Sequence, residues 1–321
     1  MMRAKPTMAP HRVLAKLAGI LTGRKDLVGF GHAFRLKGGY PTKQRCLAVF
    51  VSKKLKREEL SKQELLPKSV TIDGKRYRLD VIGVGRLRKQ VAFGESLSCD
   101  VYAGLRQKGT PSGYFMVGNQ RRVLSCAHVI WGDSPTCPNP AVTVSSSKPT
   151  AGGYTWTTIG KSTSDGRIDN GSQKILDWGW IDCASAQLDP VSSAQIPHST
   201  PVRCFTGKIR ADFDALAGKR VTGQGLMTQC VGQIYSVLVP FEMDPVTRAD
   251  LIIVPIDPNG TLTVGGDSGM IWKLDDGTAV GIHSLGNIPD SENPDAPSTL
   301  TIGTFIQRVL AATHADNLTE V

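Results

Sequence analysis

The segment LSCAHV, residues 124–129, places a histidine directly after a short apolar strand. The strand, Arg122–Ser125, follows the turn residues Gly118-Asn119, and Val129 resumes the apolar pattern after His128. A single imidazole in such a place is usually a satisfied core or surface group, so it predicts no chemistry by itself. Its meaning depends on the fold around it and on the groups elsewhere in the chain that could reach it.

The chain around this segment has the pattern of an all-β region. From about residue 100, short apolar runs recur between Gly, Pro, Ser and Asn, which is typical of a sandwich or barrel rather than of alternating strands and helices. Closing such a sheet into a barrel also removes the exposed edges that many strands create. A helical period occurs only at the end, over Phe305–Ala312. The predicted strands are Tyr114–Val117, Arg122–Ser125, Val142–Ser145, Leu176–Ile181, Val202–Phe205, Ile234–Pro240, Leu251–Val254, Met270–Trp272 and Thr278–Ile282.

The first 90 residues predict a different, mixed α+β unit. Asp73-Gly74 supplies the positive φ values of a type I′ turn and places a hairpin there. The fold class is therefore mostly β, with a small basic α+β N-terminal domain over residues 1–90, a second domain over residues 91–321 and a C-terminal helix. The predicted N-terminal elements are a helix at Arg12–Leu21, strands at Val28–Leu36 and Cys46–Val51, a helix at Lys53–Leu66, and hairpin strands at Val70–Ile72 and Tyr77–Val84.

Charge separates the same two parts of the chain. Residues 1–90 carry 22 Lys and Arg against 6 Asp and Glu, whereas residues 91–321 carry 16 against 22. Opposite charges favour docking of the basic module on the acidic one within the same chain, and such docking would weaken with salt. If the basic module covers the site of the second domain, residues 91–321 alone should be the more active. An acidic partner or nucleic acid could bind the module instead, but it lacks the interleaved aromatic residues of a single-strand platform.

Composition excludes several other classes. No stretch approaches 18 uncharged apolar residues, so no membrane span is expected. Seven cysteines without a CxxC pair predict buried thiols in a reducing compartment, and therefore a cytoplasmic location, rather than a zinc site or a disulfide framework. The sequence contains no phosphate-binding glycine loop, HExxH or EF-hand motif, so no cofactor and no metal is expected.

Two further segments supply the groups that His128 lacks. LDWGWID, residues 176–182, contains a carboxylate, and TVGGDSG, residues 263–269, contains a serine between glycines. A serine hydroxyl needs an imidazole to take its proton, and the imidazole needs a carboxylate to fix its tautomer. We therefore predict a catalytic triad of His128, Asp177 and Ser268. The glycines permit a tight turn whose N–H groups, from Gly266 and Ser268, are predicted to face a developing oxyanion.

These three segments, in the order His, Asp, Ser, resemble the catalytic blocks of chymotrypsin-like (trypsin-fold) serine peptidases. Over residues 100–312 the resemblance implies a double β-barrel with the site in the crevice between the barrels. It implies Ser268 as nucleophile, His128 as base and Asp177 as orienting acid, with Asp182 a weaker fit to the block. The implied activity is hydrolysis of peptide bonds in a protein or peptide substrate through an acyl-enzyme. A catalytically silent binding or scaffold protein of the same fold is the alternative.

Four N-terminal segments resemble the leading domain of bacterial trypsin-like proteins that are related to the plant narrow-leaf type of intracellular serine peptidase. The resemblance covers about residues 13–90 and implies a location inside the cell. The segments are VGFG at 28–31, AVFVSKK at 48–54, LLP at 65–67 and DVIGVG at 80–85.

The resemblance also bears on substrate choice and activation. In glutamate-cleaving members, a histidine in a later strand and a threonine five residues before the serine line the P1 pocket. His283 and Thr263 match these positions, which implies Glu, Gln or Asp at P1, unless His283 is only a locally satisfied strand residue. Leu262 stands where a trypsin-type pocket has an acid. No clear Ile-Val-Gly-Gly activation sequence exists, so we expect Asp267 to be a local turn residue rather than the partner of a freed N-terminus.

Overall fold

Antiparallel strands make up most of the described chain, and the helices are short. The structure is a computed structural model. It describes residues 10–38, 40–61, 64–89, 92–93, 97–99, 107–110, 114–117, 120–131, 143–151, 153–166, 175–182, 213–242, 247–288, 296–307 and 309. The helices are α1 (Pro10–Leu21), α2 (Ala127–Trp131) and α3 (Phe213–Leu216). In these residues no helix combines the length and the apolar character that a membrane crossing requires.

The strands fall into three groups along the chain. In residues 27–89 they are β1 Leu27–Lys37, β2 Tyr40–Val51, β3 Ser69–Ile72, β4 Lys75–Gly83 and β5 Arg86–Lys89. In residues 92–182 they are β6 Ala92–Phe93, β7 Leu97–Cys99, β8 Gln107–Lys108, β9 Tyr114–Val117, β10 Gln120–Ser125, β11 Thr143–Thr150, β12 Gly153–Gly166, β13 Ile175–Leu176 and β14 Gly179–Asp182. In residues 220–305 they are β15 Arg220–Gln224, β16 Gln229–Glu242, β17 Thr247–Pro255, β18 Ile271–Leu274, β19 Ala279–Ile288 and β20 Thr301–Phe305.

The last six strands close into a barrel. β15 pairs with β16, β16 with β17, β17 with β20, β20 with β19, β19 with β18, and β18 returns to β15. Inside lie fully buried apolar side chains such as Trp272, Ile234 and Phe305. Closure satisfies the backbone groups at both edges of the sheet, which is the reason for expecting a barrel from many short strands.

A second sheet, of six strands, comes from the middle of the chain in the order β7-β11-β12-β14-β10-β9. The sequence predicts one strand over Leu176–Ile181, but the structure divides it into β13 and β14. Asp177 and Trp178 lie between the two strands and outside both ladders. This interruption frees the Asp177 side chain from the alternation of a strand, so that it can face another element.

The N-terminal strands extend the barrel sheet rather than forming a separate sheet. β1 pairs with β16 of the barrel, through His32 opposite Val237 and Ala33 opposite Ser236. Beyond β1 the order continues β2-β4-β3, with β2 and β4 parallel. β5 pairs with β19 of the barrel. Residues 27–89 therefore share a sheet with the C-terminal strands.

Strand β2 is buried on both faces, which explains why its apolar run Cys46–Val51 shows no alternation. One face, with Leu47, packs on α1 and the β3–β4 hairpin. The other face, with Phe50, packs on Tyr235 and Leu300 of the barrel region. A continuous apolar run is what a strand between two cores requires.

The predicted helix over Lys53–Leu66 is wrong within the described residues 53–61 and 64–66. They contain only one 3-10 turn, Arg57–Glu59. The Glu59 carboxylate accepts a hydrogen bond from the backbone N–H of Lys56, and that of Glu64 accepts one from the N–H of Ser61. Such caps can begin a helix, but the leucines at 55, 60 and 65 are spaced five residues apart and do not follow the helical period of 3.6, so no apolar stripe stabilises one here.

Other local predictions agree with the structure. The hairpin turn lies at Asp73-Gly74, with φ of 48° and 73°. At the C-terminus the predicted helix Phe305–Ala312 is confirmed at Ile306, Gln307 and Val309, whereas Phe305 ends β20 and residues 308 and 310–312 lie outside the described residues. The predicted strand Val202–Phe205 also lies outside them.

Candidate active site

His128 lies on α2, directly after β10, and faces Asp177 across two paired strands. The β10–β14 register places Ser125 opposite Gly179, so the residues just beyond each strand end meet. The backbone N–H of His128 donates to Asp177 Oδ1 at 3.1 Å, and its Nδ1 lies 2.5 Å from Asp177 Oδ2. Asp182, the other acid of this segment, binds Arg122 at 2.8 Å instead.

Burial makes this pair chemically specific. The exposed fraction is 0% for His128 and 3% for Asp177. Because the carboxylate accepts at Nδ1, that nitrogen carries the proton and Nε2 carries the lone pair. Nε2 is itself buried and has no hydrogen-bond partner in the described part of the chain. The imidazole is therefore held as a base whose acceptor nitrogen is available.

Ser268 lies on a turn that requires glycine at two of its positions. Gly266 has φ of +101° and Gly269 has φ of +97°, in the region that L side chains rarely adopt. A Cβ on Gly269 would lie 2.1 Å from the carbonyl oxygen of Thr110. The turn is attached to β19 by the N–H of Gly269, which donates to the carbonyl of His283 at 2.9 Å.

The Ser268 hydroxyl and the His128 imidazole are not hydrogen-bonded to each other, but their segments both contact residues 283–284 of β19. Ser268 Oγ donates to the carbonyl oxygen of Ser284 at 3.0 Å. Cys126, two residues before His128, directs its thiol to the carbonyl of His283 at 3.0 Å and to Ser284 Oγ at 3.6 Å. Residues 283–284 of β19 thus contact both the histidine segment and the serine turn.

Thr110 holds the serine turn from the other side. Its N–H donates to the carbonyl of Ser268 at 2.7 Å, and its hydroxyl donates to the carbonyl of Gly266 at 3.0 Å. The same hydroxyl accepts from the N–H of Leu226 at 2.8 Å, and its carbonyl accepts from Ser125 Oγ at 3.0 Å. The N–H of Gly266 donates to no group in the residues that the structure describes. The turn is thereby fixed while one of its two predicted oxyanion donors stays available.

Asp267 is buried within the turn and is more than the local turn residue that the sequence suggests. Its Oδ1 accepts from the N–H groups of Met227 and Thr228, at 2.9 and 3.2 Å. Its Oδ2 accepts from Thr228 Oγ1 at 2.6 Å and from the N–H of Val264 at 3.0 Å. Burial raises the pKa of Asp267, and these hydrogen bonds oppose the rise. The carboxylate joins the serine turn to the β15–β16 hairpin.

The two residues predicted for the P1 pocket are both fully buried. Thr263 Oγ1 lies 2.8 Å from Ser298 Oγ, a hydroxyl that no sequence motif indicates. Burial is the main cause that lowers the pKa of His283 to about 3, so its imidazole is neutral at pH 7. The ring meets Trp272 edge-on, with ring centres 6.3 Å apart.

One group of side chains here has the composition of a metal site. The candidate ligand atoms of Cys126, His128 and Asp177 lie within 4.8 Å of one another, and Zn²⁺ accepts all three ligand types. These atoms already bind one another or the His283 carbonyl through hydrogen bonds. A metal would have to replace those hydrogen bonds.

Sequence reasoning missed Thr110, Ser284 and Ser298. Thr110 follows a glycine in a turn-rich segment, and that composition indicates a turn but no partner. The two tryptophans beside Asp177, by contrast, are core residues as predicted. Trp178 and Trp180 are both 0% exposed and meet edge-on at 6.2 Å.

Neither a scan against protein-family models nor a search of curated proteins finds a match to this chain. What the chain can do is therefore inferred from its own residues. The site combines a buried base with an available acceptor nitrogen, a serine hydroxyl and an available backbone N–H. These groups are the requirements of acyl transfer to a hydroxyl.

Proposed function

We propose that this chain is a serine endopeptidase that hydrolyses peptide bonds through an acyl-enzyme on Ser268. The observation that carries the proposal is the buried pair of His128 and Asp177. One carboxylate binds both the N–H and Nδ1 of the histidine, which leaves the buried Nε2 as an acceptor for the serine hydroxyl proton. Buried polar side-chain atoms usually have a hydrogen-bond partner, and His128 Nε2 has none in the described residues.

In the proposed reaction, Ser268 Oγ attacks the carbonyl carbon of the substrate while His128 Nε2 takes the hydroxyl proton. The Oγ–C bond forms, and the N–H groups of Gly266 and Ser268 stabilise the oxyanion. His128 then gives the proton to the leaving amine, the C–N bond breaks, and an ester remains on Ser268. A water attacks this ester with His128 as base, which releases the carboxylic acid and restores the serine.

The reaction begins with a rotation of the serine side chain. Ser268 Oγ donates to the carbonyl of Ser284. Turning to His128 Nε2 exchanges one hydrogen bond for another, so the net cost is a fraction of the roughly 1 kcal/mol that one such bond contributes. Hydrogen bonds between catalytic groups are often incomplete before substrate binds.

We extend the proposal to a chymotrypsin-like double barrel. The closed barrel would be its second half and the sheet β7-β11-β12-β14-β10-β9 its first. His128 and Asp177 follow or precede strands of the first sheet, and Ser268 belongs to the barrel. A site assembled from two sheets is what a crevice between two barrels requires.

For substrate choice we propose Glu, Gln or Asp at P1, recognised by Thr263 and His283 together with Ser298. The hydroxyl groups of Thr263 and Ser298 are adjacent, and the neutral imidazole of His283 offers one donor and one acceptor. Such groups suit a carboxamide or carboxylate side chain. No cofactor is needed for this chemistry.

A cytoplasmic location is also part of the proposal. Burial raises the pKa of the Cys46 and Cys230 thiols to about 12, which suits structural thiols in a reducing compartment. The expected partners are a protein or peptide substrate and the N-terminal strands of the same chain.

A fluorophosphonate probe tests the proposed nucleophile. We expect the full chain to be labelled on one serine and Ser268→Ala to lose the label. Ser236→Ala is the matched control, because it removes a buried hydroxyl that donates to the His32 carbonyl, away from the serine turn. Labelling that persists in Ser268→Ala would contradict the proposal.

A silent scaffold of the same fold is the second candidate, and one observation favours it. The Ser268 hydroxyl is directed to a carbonyl rather than to the base. In that case the basic residues 1–90 would contact an acidic partner or nucleic acid. A wild-type chain that reacts with no fluorophosphonate and cleaves no protein would favour this candidate.

A further inference from the structure

Strand β5 occupies the edge of β19 that leads away from the serine turn. It is antiparallel to β19, with Arg86 opposite Ile288 and Lys89 opposite Leu285. β5 therefore runs from the far end of β19 toward Ser284. The carbonyl of Ser284 is the group that accepts the Ser268 hydroxyl.

Among the described residues, the edge of β19 at residues 285–288 is the only edge of that strand that continues directly from the serine turn and is not paired with β18 or β20. One side of β19 pairs with β20 throughout residues 281–286. On the other side, residues 279–282 pair with β18, and His283 then exchanges hydrogen bonds with Met270 and Gly269 of the serine turn. Residues 285–288 come next along that same side, and β5 fills them.

An extended peptide that presents a carbonyl to Ser268 would gain most from this same edge. Adding a strand to a sheet edge uses main-chain hydrogen bonds and accepts many sequences. An antiparallel peptide on Leu285–Ile288 runs toward Ser284 and delivers its next residues to the serine. β5 already has this direction and this register.

Accepting the proposed peptidase function, in which an extended substrate would pair with β19 at Leu285–Ile288, we propose that Arg86–Lys89 is a tethered competitor of that substrate. A substrate longer than a few residues must displace β5, whereas a small reagent need not. The N-terminal strands then restrain the peptidase through backbone pairing at the site itself.

The tether holds β5 at a high local concentration. Leu87 packs against the apolar cluster that contains Phe50, Tyr235 and Leu285. Just before β5, Val84 is buried, and its N–H donates to the carbonyl of Val51 at 2.9 Å. A segment tethered within a few residues of its site has an effective concentration in the millimolar range. A free peptide competes poorly with it unless β5 is loosened.

The experiment uses two probes on the full chain and on Leu87→Asp, which removes the apolar contact of β5. A small fluorophosphonate reports the nucleophile without requiring the edge, and an internally quenched peptide of about ten residues reports the edge. We expect the labelling rate of Leu87→Asp to stay within about twofold of wild type. Its kcat/KM for the long peptide should rise about tenfold or more, because the millimolar competitor is removed.

Two further variants make the result specific. Leu55→Asp places the same charge on a leucine of the same region that is 36% exposed, and it should leave both rates unchanged. Arg88→Pro removes a backbone N–H from β5 and should reproduce the rise without a new carboxylate. A synthetic peptide of residues 84–89 should inhibit the loosened variants competitively.

The outcomes separate the two proposals. If neither wild type nor any variant is labelled, the peptidase proposal itself is wrong. If all are labelled equally and the long peptide is cleaved at the wild-type rate in both Leu87→Asp and Arg88→Pro, β5 is no competitor and this inference is overturned.

Discussion

Thr110 holds the serine turn with both its backbone and its side chain, although no motif includes it. Its hydroxyl binds the Gly266 carbonyl and accepts from Leu226, so it fixes the orientation of the peptide that follows Gly266. At 2% exposure it has no water to replace these partners. We infer that Thr110 positions the turn whose N–H groups would face an oxyanion.

Thr110→Val keeps the shape of the side chain and removes the hydroxyl, so it tests this role. The change breaks both hydrogen bonds of the hydroxyl and leaves the Gly266 carbonyl and the Leu226 N–H unsatisfied. Leaving one such buried group unsatisfied costs about 1–3 kcal/mol, which corresponds to about 5- to 150-fold in a rate that depends on the turn. We expect kcat and the fluorophosphonate rate to fall by this factor while KM changes little. Thr110→Ser should restore most of the rate, and Ser236→Ala serves as the control for general destabilisation. A rise in KM with kcat unchanged would argue against a positioning role.

His283 makes stability depend on pH. Its folded pKa of about 3 lies below the ordinary value of 6.5, so between these values the unfolded chain binds a proton that the folded chain excludes. Stability contributed by the neutral imidazole is therefore present above pH 6.5 and is lost progressively as the pH falls toward 3. Urea midpoints between pH 7 and 4 should fall more steeply for wild type than for His283→Gln. Parallel curves would show that His283 does not titrate in this way.

At the scale of one element, β2 links the two cores of the N-terminal half. Leu47, Val49 and Val51 face α1, whereas Cys46, Ala48 and Phe50 face the barrel region. The strand thereby transmits the position of α1 and the β3–β4 hairpin to the barrel. Its central place in the sheet, between β1 and β4, satisfies its backbone on both sides.

Phe50→Ala tests the importance of the barrel-facing side of β2. Phe50 is fully buried and meets Tyr235 edge-on, with ring centres 6.2 Å apart. Truncating a buried phenylalanine costs about 3–5 kcal/mol. We expect the free energy of unfolding, measured in urea, to fall by this amount. Tyr40→Ala on the same strand should lower it by about 0.5 kcal/mol or less, because that side chain is 55% exposed. Similar losses for both variants would show that the shared core contributes little.

At the scale of the whole molecule, the N-terminal strands and the barrel form one sheet and share one core. The contacts described between them are strand pairing, the hydrogen bond of Ser236 to the His32 carbonyl, and apolar packing around Phe50. Charge attraction between a basic and an acidic half, which the composition suggests, would act in addition to these contacts. Backbone ladders and apolar contacts are far less sensitive to salt than surface charge pairs.

This architecture changes what is expected of residues 91–321 alone. Removing β1–β5 exposes the barrel face that Ala33, Ala48 and Phe50 cover. We expect the shorter chain to unfold at lower temperature and to bind an apolar dye, rather than simply to be a faster enzyme. Calorimetry and dye fluorescence at two salt concentrations check this. A cooperative transition at the temperature of the full chain would contradict it.

The sequence alone determined the features that depend on local chemistry. The Asp73-Gly74 turn follows from the positive φ values that these residues tolerate. The strands follow from short apolar segments separated by Gly, Pro, Ser and Asn. The choice of His128, Asp177 and Ser268 came from residue types and their order. That Asp177 rather than Asp182 binds His128 agrees with the choice that the family resemblance implied. The helix expected at Lys53–Leu66 is absent from its described residues apart from one 3-10 turn, because leucines spaced five residues apart, at 55, 60 and 65, cannot form one buried helical stripe.

Only the tertiary structure decided which distant segments meet. Thr110 contacts Gly266 across 156 residues, and β5 takes the one edge of β19 that β18 leaves open. No local propensity encodes such pairings, because a strand carries the same backbone donors and acceptors whatever its partner. The partner is chosen by which edges remain unfilled and which apolar faces remain uncovered once the rest of the chain has packed.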